Sequence, residues 1–111
     1  MEIHQQAHGK VLVISPTGRL DSLTYHSLED HLSNLIRNGK TTLVIDFTQL
    51  EYISSSGLRV LLMAAKQVRA AQGKMALAAM SASIREVFDI SGFSSIFEIY
   101  PSAQEAIPAV E

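Results

Sequence analysis

Leu43-Val44-Ile45-Asp46-Phe47, a short loop, the cluster Ser54-Ser55-Ser56-Gly57, and then an unbroken run from Leu58 to Ala71 form the stretch that decides the fold. The first five residues are aliphatic and β-branched, with no polar alternation until Asp46. That pattern belongs to a strand buried on both faces. The run after Gly57 is rich in Leu, Ala, Met and Lys, all good helix formers. Leu58, Leu61, Leu62, Ala65 and Val68 share one helical face. A buried strand followed by an amphipathic helix is half of a β-α-β unit, and such units build parallel sheets.

Working outward, the same alternation recurs. Upstream, Leu28, Leu32, Leu35 and Ile36 fall at i, i+4, i+7 and i+8 and predict a helix. Thr24 stands at its N-cap and Asn38-Gly39 at its end. Before it, Val11-Leu12-Val13-Ile14 reads as another buried strand, broken off by Pro16 and Gly18. Ile3 to Ala7 reads as an edge strand, joined to it through the turn chemistry of Ala7-His8-Gly9-Lys10. Thr48 to Ile53 reads as a loop. Downstream, Gly73 closes the long helix as Gly39 closes the first. Met75 to Ala79 is an apolar strand of small residues that invites close packing by a helix. Ser83-Ile84-Arg85-Glu86 reads as a capping box before a short helix ended by Gly92. Ile96 to Tyr100 is a last strand. Ser102-Ala103-Gln104-Glu105 is a second capping box, and Pro108 stops the helix it opens.

The expected fold is therefore α/β, one domain over residues 1–111, in the order β-β-α-β-α-β-α-β-α. The sheet is mostly parallel, and a hairpin of the first two strands makes it mixed.

Composition narrows the function. Of the 111 residues, 47% are hydrophobic and 18% charged, enough to build a core. The net charge of -2 lacks the basic balance that nucleic-acid binding calls for. There is no cysteine, so thiolate chemistry is excluded. No apolar run approaches the ~20 residues of a membrane helix, and the first residues lack the pattern of a secretory signal. A cytoplasmic protein without direct membrane insertion is expected.

Catalysis finds little support. The nucleophile elbow G-x-S-x-G would need glycine where Ile53 stands. The four histidines, His4, His8, His26 and His31, lie outside the loops after buried strands where α/β sites gather. His26 and His31 are five apart on a helix, and His4 and His8 are roughly 13 Å apart along a strand, too far for one ion. No phosphate-binding loop motif occurs. No catalytic residue, metal or cofactor is expected.

The serine cluster remains. It opens the longest helix, where free amides and the helix dipole favour anions. One serine suffices for a cap; three exceed what capping demands. A phosphoserine there would carry about -1.5 to -2 charges without disturbing its own domain, while repelling a docked partner. Capping alone and phosphorylation both fit the residues at this point.

Three segments, in order and spanning essentially the whole chain, resemble the STAS domain of bacterial anti-sigma factor antagonists. They are Thr17-Gly18-Arg19-Leu20-Asp21, Tyr52 to Leu62 around Ser54-Ser55-Ser56-Gly57-Leu58, and Val87 to Phe93. The resemblance implies a phosphorylatable residue at the start of the second main helix. It implies a serine kinase that doubles as an anti-sigma factor, bound by the unmodified antagonist and released on phosphorylation. A PP2C-type phosphatase resets the switch. By position the acceptor is Ser55, with Ser56 the second choice. Ser54 stands where most members carry aspartate. The implied partner-binding residues are Asp21, Ser54, Ser55, Ser56, Gly57 and Leu58. Asp21 reads equally well as a cap approaching the first helix, and Asp46 as structural. An alternative within the family is a STAS subunit of a membrane lipid-transport ABC system, which co-purification with a membrane ATPase would reveal.

Overall fold

A computed structural model describes residues 1–111. Its strands are β1 (Ile3–His8), β2 (Val11–Pro16), β3 (Gly18–Leu20), β4 (Thr42–Asp46), β5 (Leu50–Ile53), β6 (Lys74–Ala78) and β7 (Glu98–Tyr100). The helices are α1 (Tyr25–Arg37), α2 (Ser55–Ala70), α3 (Ala82–Ser91) and α4 (Ala103–Val110), with a 3-10 turn at Phe93–Ser95. Five strands form one sheet in the order β1-β2-β4-β6-β7. β1 and β2 pair antiparallel, and β2, β4, β6 and β7 run parallel. The mixed, mostly parallel sheet of the sequence reading is thus present.

The strand residues sort by parity, as a pleated sheet requires. Ile14, Leu43, Ile45 and Leu77 enter the larger core, with Leu28 and Leu32 of α1, Leu61 and Val68 of α2, and Ile84 and Phe88 of α3. Val11, Val13, Val44, Ala76 and Ala78 face the other way, against Ala106 and Val110 of α4. The alanines of β6 are what let α4 approach. Phe47, Phe88 and Phe97 meet edge-to-face at about 6 Å in the larger core. Burying one such apolar side chain contributes ~2 kcal/mol, against ~1 for a helix cap. Packing therefore fixes the fold, and the caps adjust where each helix begins.

Several local expectations are corrected. Thr48 to Ile53 is not all loop: Leu50–Ile53 is β5, paired parallel with β3 in a second, two-stranded sheet. Both strands are short, and their partners, Gly18 with Leu50 and Leu20 with Ile53, are far apart in sequence, so neither shows in a local pattern. α3 is capped by Ser81, whose hydroxyl accepts from the Ile84 amide, and Ser83 lies inside the helix. Pro108 lies within α4 rather than ending it. Near the end of so short a helix, the proline removes one hydrogen bond instead of breaking a long ladder. β7 begins at Glu98, the 3-10 turn having taken the residues just before Ile96.

Gly39 does close α1, at φ +82°. At the end of α2, however, Gln72 takes the left-handed conformation at φ +61°, and the Gly73 amide reaches back to the Val68 carbonyl at 2.8 Å. Gly73 is needed for another reason. A Cβ there would sit 2.1 Å from the Thr41 carbonyl oxygen, where the chain leading into β6 runs close beside that leading into β4.

Candidate functional site

The β3–β5 sheet places two helix starts side by side. β3 leads into α1 through Asp21 to Thr24, and β5 leads into α2 through Ser54. The Ser54 amide donates to the Leu20 carbonyl at 2.9 Å and ties the two junctions together. Arg19 and Tyr52 are register partners, and the Arg19 guanidinium lies 4.1 Å above the Tyr52 ring.

At the α2 start the three serines do different work. Ser54 is the N-cap, in extended conformation, and its hydroxyl accepts from the Gly57 amide at 3.5 Å, a long bond. Ser55 is the first helical residue and is exposed; Ser56 is half-buried. Neither of their hydroxyls has a hydrogen-bond partner in the protein. The Ser55 and Ser56 amides are among those a helix start leaves without an intrahelical acceptor. The first turn carries no acidic residue, so nothing offsets the positive end of the dipole.

Gly57 and Leu58 turn inward. A Cβ on Gly57 would meet Leu20 Cγ at 2.7 Å and Ile53 Cγ1 at 2.9 Å, so glycine here serves packing between α2 and the β3–β5 sheet. Leu58 is only 7% exposed and belongs to the larger core. Of the six residues expected to meet a partner, Leu58 therefore supports the surface from beneath rather than forming it. Asp21, Ser54, Ser55 and Ser56 remain accessible, and Gly57 is buried.

At the α1 start the expected Thr24 cap is corrected. Thr24 occupies the N-cap position but makes no side-chain cap bond. Its hydroxyl donates to the Arg19 carbonyl at 2.7 Å and accepts from the Asp21 amide at 3.0 Å. Asp21 organises the turn instead. Its carboxylate accepts from the Leu23 amide at 2.9 Å, and its carbonyl accepts from the Thr24 and Tyr25 amides at 3.2 and 2.9 Å. Its Oδ2 lies 3.5 Å from Arg19 Nε. The Leu23 amide is the main influence holding the Asp21 carboxyl below its usual pKa; partial desolvation opposes it, and Thr24 and Arg19 reinforce it. The Asp21 carboxylate thus closes the turn leading into α1 and does not cap an amide of the helix itself. The sequence reading passed over one neighbour, Leu23, which is 89% exposed.

The histidines do not converge. His4 lies 3.6 Å from Glu2, His26 lies 3.4 Å from Glu29, and His31 shares a 2.8 Å hydrogen bond with Gln5. No group of three or more His, Asp or Glu side chains is placed to hold a metal. Asp46 accepts from Ser15 at 3.3 Å and from the Thr48 amide at 3.0 Å, bracing the end of β4. No helix is long and apolar enough to cross a membrane.

This mixed sheet, with a serine-capped helix rising beside a second small parallel sheet, defines a STAS domain. The STAS family model matches residues 2–106, and the chain belongs to that family. Among its relatives is BtrV of Bordetella bronchiseptica, provisionally named an anti-sigma factor antagonist. It is 40% identical over 99 residues, covering 89% of this chain and 85% of BtrV. An anti-sigma factor antagonist from Mycobacterium paratuberculosis superposes with a TM-score of 0.88 at 26% identity, covering 98% of this chain and 92% of that one. The Bacillus cell fate determinant SpoIIAA in its phosphorylated form superposes with a TM-score of 0.77 at 26% identity, covering 99% of this chain and all of SpoIIAA.

Proposed function

We propose that this chain is an anti-sigma factor antagonist whose binding to a serine kinase/anti-sigma factor is switched off by phosphorylation of Ser55. One observation carries the assignment within the cluster. Ser54 caps α2, which leaves Ser55 as an exposed, unengaged hydroxyl at the first helical position. Ser56 is the second choice, half-buried and one step further from the helix end. The relatives named anti-sigma factor antagonists, one of them solved in a phosphorylated form, support the same reading.

The electrostatics favour a switch that leaves the domain folded. A phosphate of about -2 charges at Ser55 meets free amides and the positive end of α2, with no carboxylate in the first turn. Its host is therefore stabilised or unaffected. A partner covering the same spot must accommodate and desolvate the anion, and about 3 kcal/mol of lost affinity is more than a hundredfold. The chain need supply no catalysis: the kinase adds the phosphate, and a PP2C-type phosphatase removes it.

The test is intact mass after incubation with the kinase and ATP. Wild type gains one phosphate and Ser55→Ala gains none. A phosphorylated Ser55→Ala protein would move the acceptor to Ser56 or Ser54.

A further inference from the structure

The Asp21–Thr24 turn is built more heavily than its length requires. Six hydrogen bonds hold it: Leu23 amide to the Asp21 carboxylate, Thr24 and Tyr25 amides to the Asp21 carbonyl, Asp21 amide to the Thr24 hydroxyl, and that hydroxyl to the Arg19 carbonyl and the Asp21 carboxylate. What this framework presents is Leu23, the most exposed large apolar side chain of the protein at 89%. A leucine so exposed stabilises nothing in its own fold. Fixing its backbone beforehand does lower the entropy cost of seating it in a partner.

Its position links it to the serine site. The Leu20 carbonyl accepts from the Ser54 amide, Leu23 is three residues beyond Leu20, and Ser55 is one beyond Ser54. Backbone reach puts the two Cα atoms within about 20 Å. A standard docking patch of ~800 Å² per partner is roughly 30 Å across, wide enough for one partner to cover both Ser55 and Leu23. We infer that Leu23 is a preformed apolar anchor for the kinase/anti-sigma factor, inserting into an apolar pocket on that protein beside the one that receives Ser55. The Asp21 carboxylate, still accessible at its rim and drawn toward Arg19, adds a charged edge to the anchor. This inference rests on the Ser55 reading, and it gives the switch an affinity element separate from its phosphoacceptor.

The experiment uses the full chain and the purified serine kinase/anti-sigma factor of the same organism. Kd is measured without ATP, and KM and kcat for phosphorylation with it. Leu23→Ala should weaken Kd and raise KM by about tenfold or more, as loss of a buried anchor does. Its kcat and urea midpoint should match wild type, because Leu23 touches neither the acceptor nor the core. Leu23→Met, which keeps an apolar side chain of similar size, should bind nearly as wild type. Leu23→Ala with wild-type Kd and KM overturns the anchor and leaves the Ser55 switch standing. Wild type that neither binds the kinase nor gains phosphate overturns both.

Discussion

The starts of α1 and α2 lie side by side and are built in opposite ways. At α1, the Asp21 carboxylate holds the Leu23 amide, its carbonyl takes the Thr24 and Tyr25 amides, and Thr24 is spent bracing the strand behind it. At α2, a single neutral hydroxyl from Ser54 makes one long bond to Gly57 and leaves the neighbouring hydroxyls free. The first junction is charged and over-bonded, the second neutral and under-bonded. A rigid junction suits recognition, and an open one suits modification. The contrast also bears on Ser54, at a position where the family resemblance implies an aspartate. A carboxylate cap would satisfy Gly57 more strongly but would repel an incoming phosphate at Ser55.

The contrast can be broken where the junctions meet. Gly57→Val places a branched side chain against Leu20 and Ile53, the residues that end β3 and β5. The cost should be about 3 kcal/mol, the upper range for overpacking a filled core, read as a lower denaturant midpoint. Both junctions should loosen together.

A smaller effect separates the serines. Ser54→Ala should cost about 1 kcal/mol through loss of the cap, whereas Ser55→Ala should change stability by less than about 0.5. Equal costs for the two would mean that Ser55 is engaged in the fold and is not a free acceptor.

The smallest effect concerns charge at α1. Asp21 has a lower pKa folded than unfolded, so its contribution is fully present above the ordinary value of 3.8 and is lost as pH falls through the folded value. Asp21→Asn keeps the acceptor for the Leu23 amide but removes this dependence. Any stability advantage of wild type over the variant at neutral pH should therefore shrink on acidification below about 4, as followed by urea midpoints across pH.

Much of this was legible in the sequence. Continuous apolar runs gave the central strands because a parallel sheet buries both faces, and 3.6-residue periodicity gave the helices. The serine cluster stood out because it exceeded the needs of a cap. What stayed hidden was non-local. Leu50 and Ile53 are buried while Glu51 and Tyr52 are exposed, a pattern that fits no strand period. Only pairing with Gly18–Leu20 explains it. The role of Gly57 likewise depends on side chains from two other elements, and local reading assigned it to the helix start alone. Ser81 and Ser83 are both plausible caps by composition; the acidic residue at Glu86 pointed to the wrong one. Leu23 carried no signal, since its exposure follows from a turn whose bonds involve Arg19 and Thr24.

The central claim is that one phosphate on Ser55 separates this protein from its partner without unfolding it. The direct measurement is the affinity of the purified kinase/anti-sigma factor for unmodified and Ser55-phosphorylated protein, with the thermal midpoint of each form recorded alongside. The account predicts a loss of affinity of about a hundredfold at an unchanged or slightly higher midpoint. Equal affinity of the two forms, or a phosphorylated form that has lost its fold, would contradict it.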